Sequence, residues 1–131
     1  MGPMAAPMRE SDPIVLIVDD DLAVRDALKF ALELEGLKVH TCASAAELLE
    51  HPALGQARCL VLDYRMPGMD GFQALDCLAA RGVHVPAILI TTAVTDGVRV
   101  RASKAGIVHV LEKPLLDGSL MDRLKELTCQ A

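Results

Sequence analysis

The chain has 131 residues, 52% of them apolar and 24% charged, with a net charge of −5. That length suits one domain with a proper core, and the apolar content excludes intrinsic disorder. The acidic balance argues against nucleic acid as a direct partner, and no apolar run approaches the roughly 20 residues that cross a bilayer.

Residues 1–13 carry three Met and three Pro without a continuous apolar stretch. They read as a flexible arm rather than a leader peptide, ahead of one folded domain over 14–129. Ile14–Val18 is solidly apolar, the pattern of a strand covered on both faces. It runs into Asp19, Asp20 and Asp21, and Asp21 is placed to cap the following helix. In that helix Val24, Ala27, Leu28, Ala31, Leu32 and Glu35 follow 3.6-residue spacing, and Gly36 can end it in the left-handed conformation.

A weaker strand spans 37–42, with Lys38 and His40 facing one way. Ser44 with Glu47 suggests a capping box for a short helix reaching Glu50. The run 59–62 is a third buried strand, ending at Asp63, and a helix over 72–81 runs into Gly82. The run 87–90 is a fourth strand, ending at Thr91 and Thr92. Asp96–Ala105 is the weakest helix, because Gly97 and two β-branched Val lower its propensity; it should be mobile or frayed. A fifth strand over 108–111, interrupted by His109, leads to Lys113 and Pro114, and a helix over 116–127 closes the series.

Other residues receive plain readings. Phe72, Leu75, Leu78 and Ala79 are helix-packing residues, as Met66 and Met69 are for their loop. His40, His51 and His84 are expected at the surface, and Arg99, Arg101 and Lys104 form a solvated basic stretch. Cys42, Cys59, Cys77 and Cys129 form no Cys-x-x-Cys pair and read as reduced cytosolic thiols.

Five strands alternating with five helices give an α/β, doubly wound parallel sheet with helices on both faces. Right-handed crossovers bring functional groups outside the carboxyl ends of the strands. Asp19, Asp20, Asp63, Thr91 and Lys113 would therefore meet on one rim. Clustered carboxylates repel one another unless a cation intervenes, and an all-oxygen, ligand-poor site favours Mg²⁺ over softer metals or Ca²⁺. A lysine and a hydroxyl beside that ion suit phosphoryl oxygens. No glycine-rich nucleotide loop is present, which leaves an Asp carboxylate as the attacking group and an acyl phosphate as product.

The segments Leu16-Ile17-Val18-Asp19-Asp20-Asp21, Val61-Leu62-Asp63-Tyr64-Arg65-Met66-Pro67-Gly68-Met69-Asp70-Gly71, Ile90-Thr91 and Glu112-Lys113-Pro114 together resemble a response-regulator receiver domain, the chemotaxis-regulator-like phosphoacceptor of two-component signalling. The resemblance covers about residues 14–127 and implies a flavodoxin-like strand order, 2-1-3-4-5. It implies that Asp63 is the phosphoacceptor, and that Asp20, Asp63 and the backbone carbonyl of Arg65 ligate Mg²⁺ directly, with Asp19 acting through water. It further implies that Lys113 pairs with the phosphoryl group and Asp63, that Thr91 is the switch hydroxyl, and that the bond before Pro114 is cis. The implied partners are a sensor histidine kinase or phosphotransfer protein and an output domain or effector, with homodimerisation on phosphorylation. The implied setting is cytoplasmic, without membrane or direct nucleic-acid contact, and the chain would be a phosphoryl acceptor rather than an enzyme.

Three positions depart from the family pattern. Val110 stands where an aromatic often rotates with the switch hydroxyl, Thr92 where Ala or Gly is usual, and Leu115 where Phe is common. They keep open a rival reading, a phosphorylation-independent interaction module with a degenerate output switch. A phosphatase with an Asp nucleophile would want a second Asp where Arg65 stands.

Overall fold

The fold was obtained as a computed structural model, which describes residues 13–115 and 118–128. Its elements, in chain order, are β1 (Ile14–Val18), α1 (Leu22–Leu34), β2 (Lys38–Cys42), α2 (Ala45–Leu49), a 3-10 turn (Leu54–Gln56), β3 (Ala57–Asp63), α3 (Gly71–Ala80), β4 (Ala87–Thr91), α4 (Asp96–Ala105), β5 (Ile107–Glu112) and α5 (Ser119–Thr128). The strands form one parallel sheet in the order β2-β1-β3-β4-β5.

The two faces of the sheet are read off alternate residues of the same strands, as the two-residue period of a strand requires. Ile14, Leu16, Val18, Leu60, Leu62 and Leu89 pack against Leu48 of α2, Phe72 and Leu78 of α3 and Ala102 of α4. Val15, Ile17, Val61, Ile88 and Ile90 pack against Leu32 of α1 and Leu120 and Leu124 of α5. Every residue of β1 is buried, which is why its sequence is solidly apolar rather than alternating. Each such side chain contributes roughly 1.5–3 kcal/mol of transfer free energy.

Local chemistry sets the helix ends. The Asp21 side chain accepts hydrogen bonds from the Ala23 and Val24 N–H groups and opens α1. Gly36, at φ +90°, takes the left-handed turn just beyond that helix. Ser44 Oγ caps the Glu47 N–H, but the Glu47 carboxylate reaches the Ala43 N–H, so the box expected there closes one residue upstream. A full capping box instead opens α3, between Asp70 and Gln73.

Several expectations need correction. β3 begins two residues before the apolar run, because Ala57 pairs with Ile14 at a register shift that admits the exposed Arg58. His40 and His51 are half-buried, not surface residues; their rings meet edge-on at 5.3 Å, while His84 is exposed. Burial, then the charges of His51 and two lysines, lower the His40 pKa. Ala79 is exposed, whereas Phe72 and Leu78 are buried and Leu75 half-buried.

The expected arm, Pro13 apart, lies outside the described residues, as do Leu116 and Cys129 among the positions singled out above. Burial pushes the Cys42 and Cys59 thiols up to about 11 and about 12, and both are free, as is Cys77. No helix among the described residues is long and apolar enough to cross a membrane.

Candidate functional site

Strand register assembles the rim. Val18 of β1 lies opposite Leu62 of β3, so the next residues, Asp19 and Asp63, emerge side by side. Thr91 lies opposite Glu112, and the Lys113 N–H donates to the Thr91 carbonyl at 2.8 Å, which brings the lysine to the same edge. The Lys113–Pro114 peptide bond is cis, as the resemblance implies.

Carboxylate oxygens of Asp19, Asp20 and Asp63 lie within 4.8 Å of one another. Asp19 and Asp63 are buried and Asp20 is exposed, so the cluster has a closed floor and an open side. Lys113 Nζ donates to Asp19 Oδ2 at 2.9 Å and approaches Asp63 Oδ1 at 3.2 Å. Asp19 also accepts the Asp21 N–H at 2.9 Å, and its backbone carbonyl accepts Arg25 Nη1 at 2.7 Å. Asp19 is thus fixed from three sides.

Burial, then the Asp19 carboxylate, push the Asp63 pKa up to about 6, although Lys113 works the other way. Burial alone would lower the Lys113 ammonium; hydrogen bonds and charge from Asp19 and Asp63 overcome it and hold its pKa above the ordinary value. Among the described residues, the ammonium of Lys113 faces three carboxylates, which leaves the cluster short of positive charge. The donor set fits a hard divalent cation, which would supply the missing charge.

The loop beyond β3 is held tightly. A Cβ on Gly71 would lie 2.9 Å from the Asp63 carbonyl oxygen and 3.1 Å from Leu89 Cδ1, so only glycine lets α3 start against the end of β3. Thr91 is buried, and its hydroxyl faces the backbone N–H and C=O of Ala93, each at 3.4 Å. Val110 is half-buried against the face of the core that α2, α3 and α4 cover, an aliphatic side chain at the position where the family often has an aromatic. Thr92 is exposed beside Thr91 at the edge of a cavity of about 360 Å³ that Tyr64, Arg65, Thr95, Val98 and Arg101 also line.

Sequence reasoning missed two features. Arg101 does not belong to a uniformly solvated stretch: its guanidinium lies 4.3 Å above the centre of the Phe72 ring. The Val94 N–H donates to Glu112 Oε1 at 3.2 Å, tying the loop after β4 to the end of β5. Both contacts join residues distant in sequence, so no local period signals them.

A family profile described as the response regulator receiver domain matches residues 15–125. The transcriptional regulatory protein FixJ of Azorhizobium caulinodans is 41% identical over 114 residues, which is 87% of this chain and 54% of that protein. The C4-dicarboxylate transport transcriptional regulatory protein DctR of Rhodobacter capsulatus is 40% identical over 110 residues, 82% of this chain and 56% of its own. The chain therefore spans about half the length of these relatives. Among solved structures, FixJ-N superposes with a TM-score of 0.78 at 36% identity, covering 89% of this chain and 94% of that one. The chemotaxis protein CheY4 of Vibrio cholerae, at 24% identity and a TM-score of 0.82 over 88% of this chain and 98% of that one, shares the fold.

Proposed function

This chain belongs to the response regulator receiver domain family, a family of signalling domains, and on that premise we propose that it accepts a phosphoryl group on Asp63 and thereby switches a protein-interaction surface. The observation that carries the reading is the convergence of Lys113 on both Asp19 and Asp63 beside a third carboxylate. The partner is a sensor histidine kinase or phosphotransfer protein of a two-component system in the cytoplasm.

In the proposed transfer, an Asp63 oxygen attacks the phosphorus of a phosphohistidine. The new P–O bond forms as the P–N bond breaks, and its electron pair leaves with the imidazole. The ammonium of Lys113 faces the developing negative charge on the phosphoryl oxygens and holds Asp63 in line. Asp19, locked by the Asp21 N–H and Lys113, keeps its carboxylate fixed throughout. Asp20, Asp63 and the Arg65 carbonyl would hold Mg²⁺ directly and Asp19 through water; the ion would supply charge neutralisation at the phosphoryl oxygens. Hydrolysis resets the chain when water attacks phosphorus and the carboxylate leaves.

Thr91 leaves Ala93 and turns toward a phosphoryl oxygen, drawing the loop between β4 and α4 with it. The altered surface then favours one partner over another, an output domain, an effector or a second copy of the chain. On this reading the chain is an acceptor that assists its own chemistry. The rival, a module insensitive to phosphorylation, gains its motivation from Val110 and Thr92. Beryllofluoride with Mg²⁺ separates the two. The acceptor reading expects amide shifts spreading from Asp63 to the loop after β4 and to α4, whereas shifts confined to the rim favour the rival.

A further inference from the structure

Resting on that reading, we propose that Arg101 is a positioning residue that acts as a brake: stacked on Phe72, it holds α4 in its resting seat and opposes phosphorylation of Asp63. The contacts form a continuous ladder. Arg65 lies 4.5 Å above the Tyr64 ring, Tyr64 meets Phe72 edge-on at 5.1 Å, and Arg101 covers the Phe72 ring at 4.3 Å. Tyr64 directly follows the acceptor, and its backbone is pinned by bonds to Ile90 and Gly71. Phe72 is 1% exposed and cannot give way. The ladder thus has a fixed end at Asp63 and a movable end at α4.

α4 is lightly seated. Ala102 is its buried residue, Val98 is half-buried, and Val100 is exposed, so the Arg101 stack is a substantial part of what holds it down. Its N-terminus is bound to the switch. Thr91 faces the Ala93 backbone, Val94 is tied to Glu112, and Thr95 Oγ1 caps the Val98 N–H. The cavity of about 360 Å³ between Thr91 and Arg101 gives this loop room to move. A Thr91 hydroxyl that swings toward Asp63 pulls on the first turn of α4, and the guanidinium must slide off its ring. Val110 cannot transmit that motion by rotating; the loop from Thr91 to α4 carries it, against the hold of the Arg101 stack on Phe72.

Coupling is reciprocal. If occupation of Asp63 unseats α4, then unseating α4 favours occupation. Replacing Arg101 by Gln removes the cation while leaving every rim residue in place. Beryllofluoride with Mg²⁺ is titrated into wild type and variants and followed by ¹H–¹⁵N NMR. Arg101→Gln should bind the mimic about two- to five-fold more tightly, the worth of one exposed cation–ring contact. Its α4 amides without the mimic should already be displaced toward the wild-type bound positions. Arg101→Lys, which keeps a cation over the ring, should restore most of the wild-type affinity, whereas the long but uncharged Arg101→Met should behave like Arg101→Gln; wild-type affinity in Arg101→Met overturns the role of the cation. Phe72→Leu should reproduce the Gln phenotype from the other side of the contact. Unchanged or weaker binding by Arg101→Gln, or α4 amides that stay at their wild-type positions, overturns the brake. Wild-type chain that fails to bind the mimic overturns the acceptor reading, and the brake with it.

Discussion

Asp63 is held at a cost to the fold. Its pKa lies at about 6 against an ordinary 3.8, so the folded protein binds its proton more tightly than the unfolded chain does. The stability this gives is present below pH 3.8 and is lost as pH rises through 6. Asp63→Asn removes the buried charge and its repulsion by Asp19. Without metal ions, the variant should be more stable than wild type by about 1–2 kcal/mol above pH 7, with the difference shrinking toward pH 4. Urea unfolding of both proteins at pH 4, 5.5 and 8 checks this; a pH-independent difference would contradict it. Lys113→Met should do the reverse, destabilising by about 2–4 kcal/mol, because two buried carboxylates lose the ammonium that pairs with both. The same unfolding assay reads that loss. The acids and the lysine were legible in the sequence because strand ends reveal them. The stack of Arg101 on Phe72 was not: basic residues on a helix carry no mark of which one lies over a ring 29 positions away.

At the scale of elements, strands were the most legible. Burial on both faces leaves solid apolar runs, and β1 and β4 were readable almost to the residue. β3 was not, since Arg58 enters it at the register shift opposite Ile14 and Val15, which an exposed side chain conceals. The edge strand β2 hid its contact with His51, which depends on how the turn after α2 folds back. α4 forms in full over Asp96–Ala105 despite its poor propensity, ended by Gly106 in the left-handed conformation. With so little of it buried, its amides should exchange before those of α1 and α3 in native-state hydrogen exchange; protection equal to α3 would refute this. Gly71→Ala tests the junction of β3 and α3. The added methyl meets the Asp63 carbonyl, so stability should fall by about 1–3 kcal/mol and Asp63 should shift, read as weakened beryllofluoride binding.

For the molecule as a whole, a single parallel sheet brings Asp19, Asp20, Asp63, Thr91 and Lys113 together beyond the carboxyl ends of its strands. Two cores back the sheet on either side, while α4 beside the rim buries Ala102 and leaves most of its residues exposed. Cation binding at the rim should stabilise the whole fold, by about 2.7 kcal/mol at a hundredfold excess over the dissociation constant. That gain should be smaller at pH 5 than at pH 8, because protonated Asp63 competes with the ion. The most direct test of the account is phosphorylation itself. Incubated with Mg²⁺ and acetyl phosphate, the intact chain should gain one phosphoryl group, mapped by mass spectrometry to Asp63 and abolished by EDTA or Asp63→Asn. A folded chain that takes up no phosphoryl group, or takes it on another residue, would contradict the account at its centre.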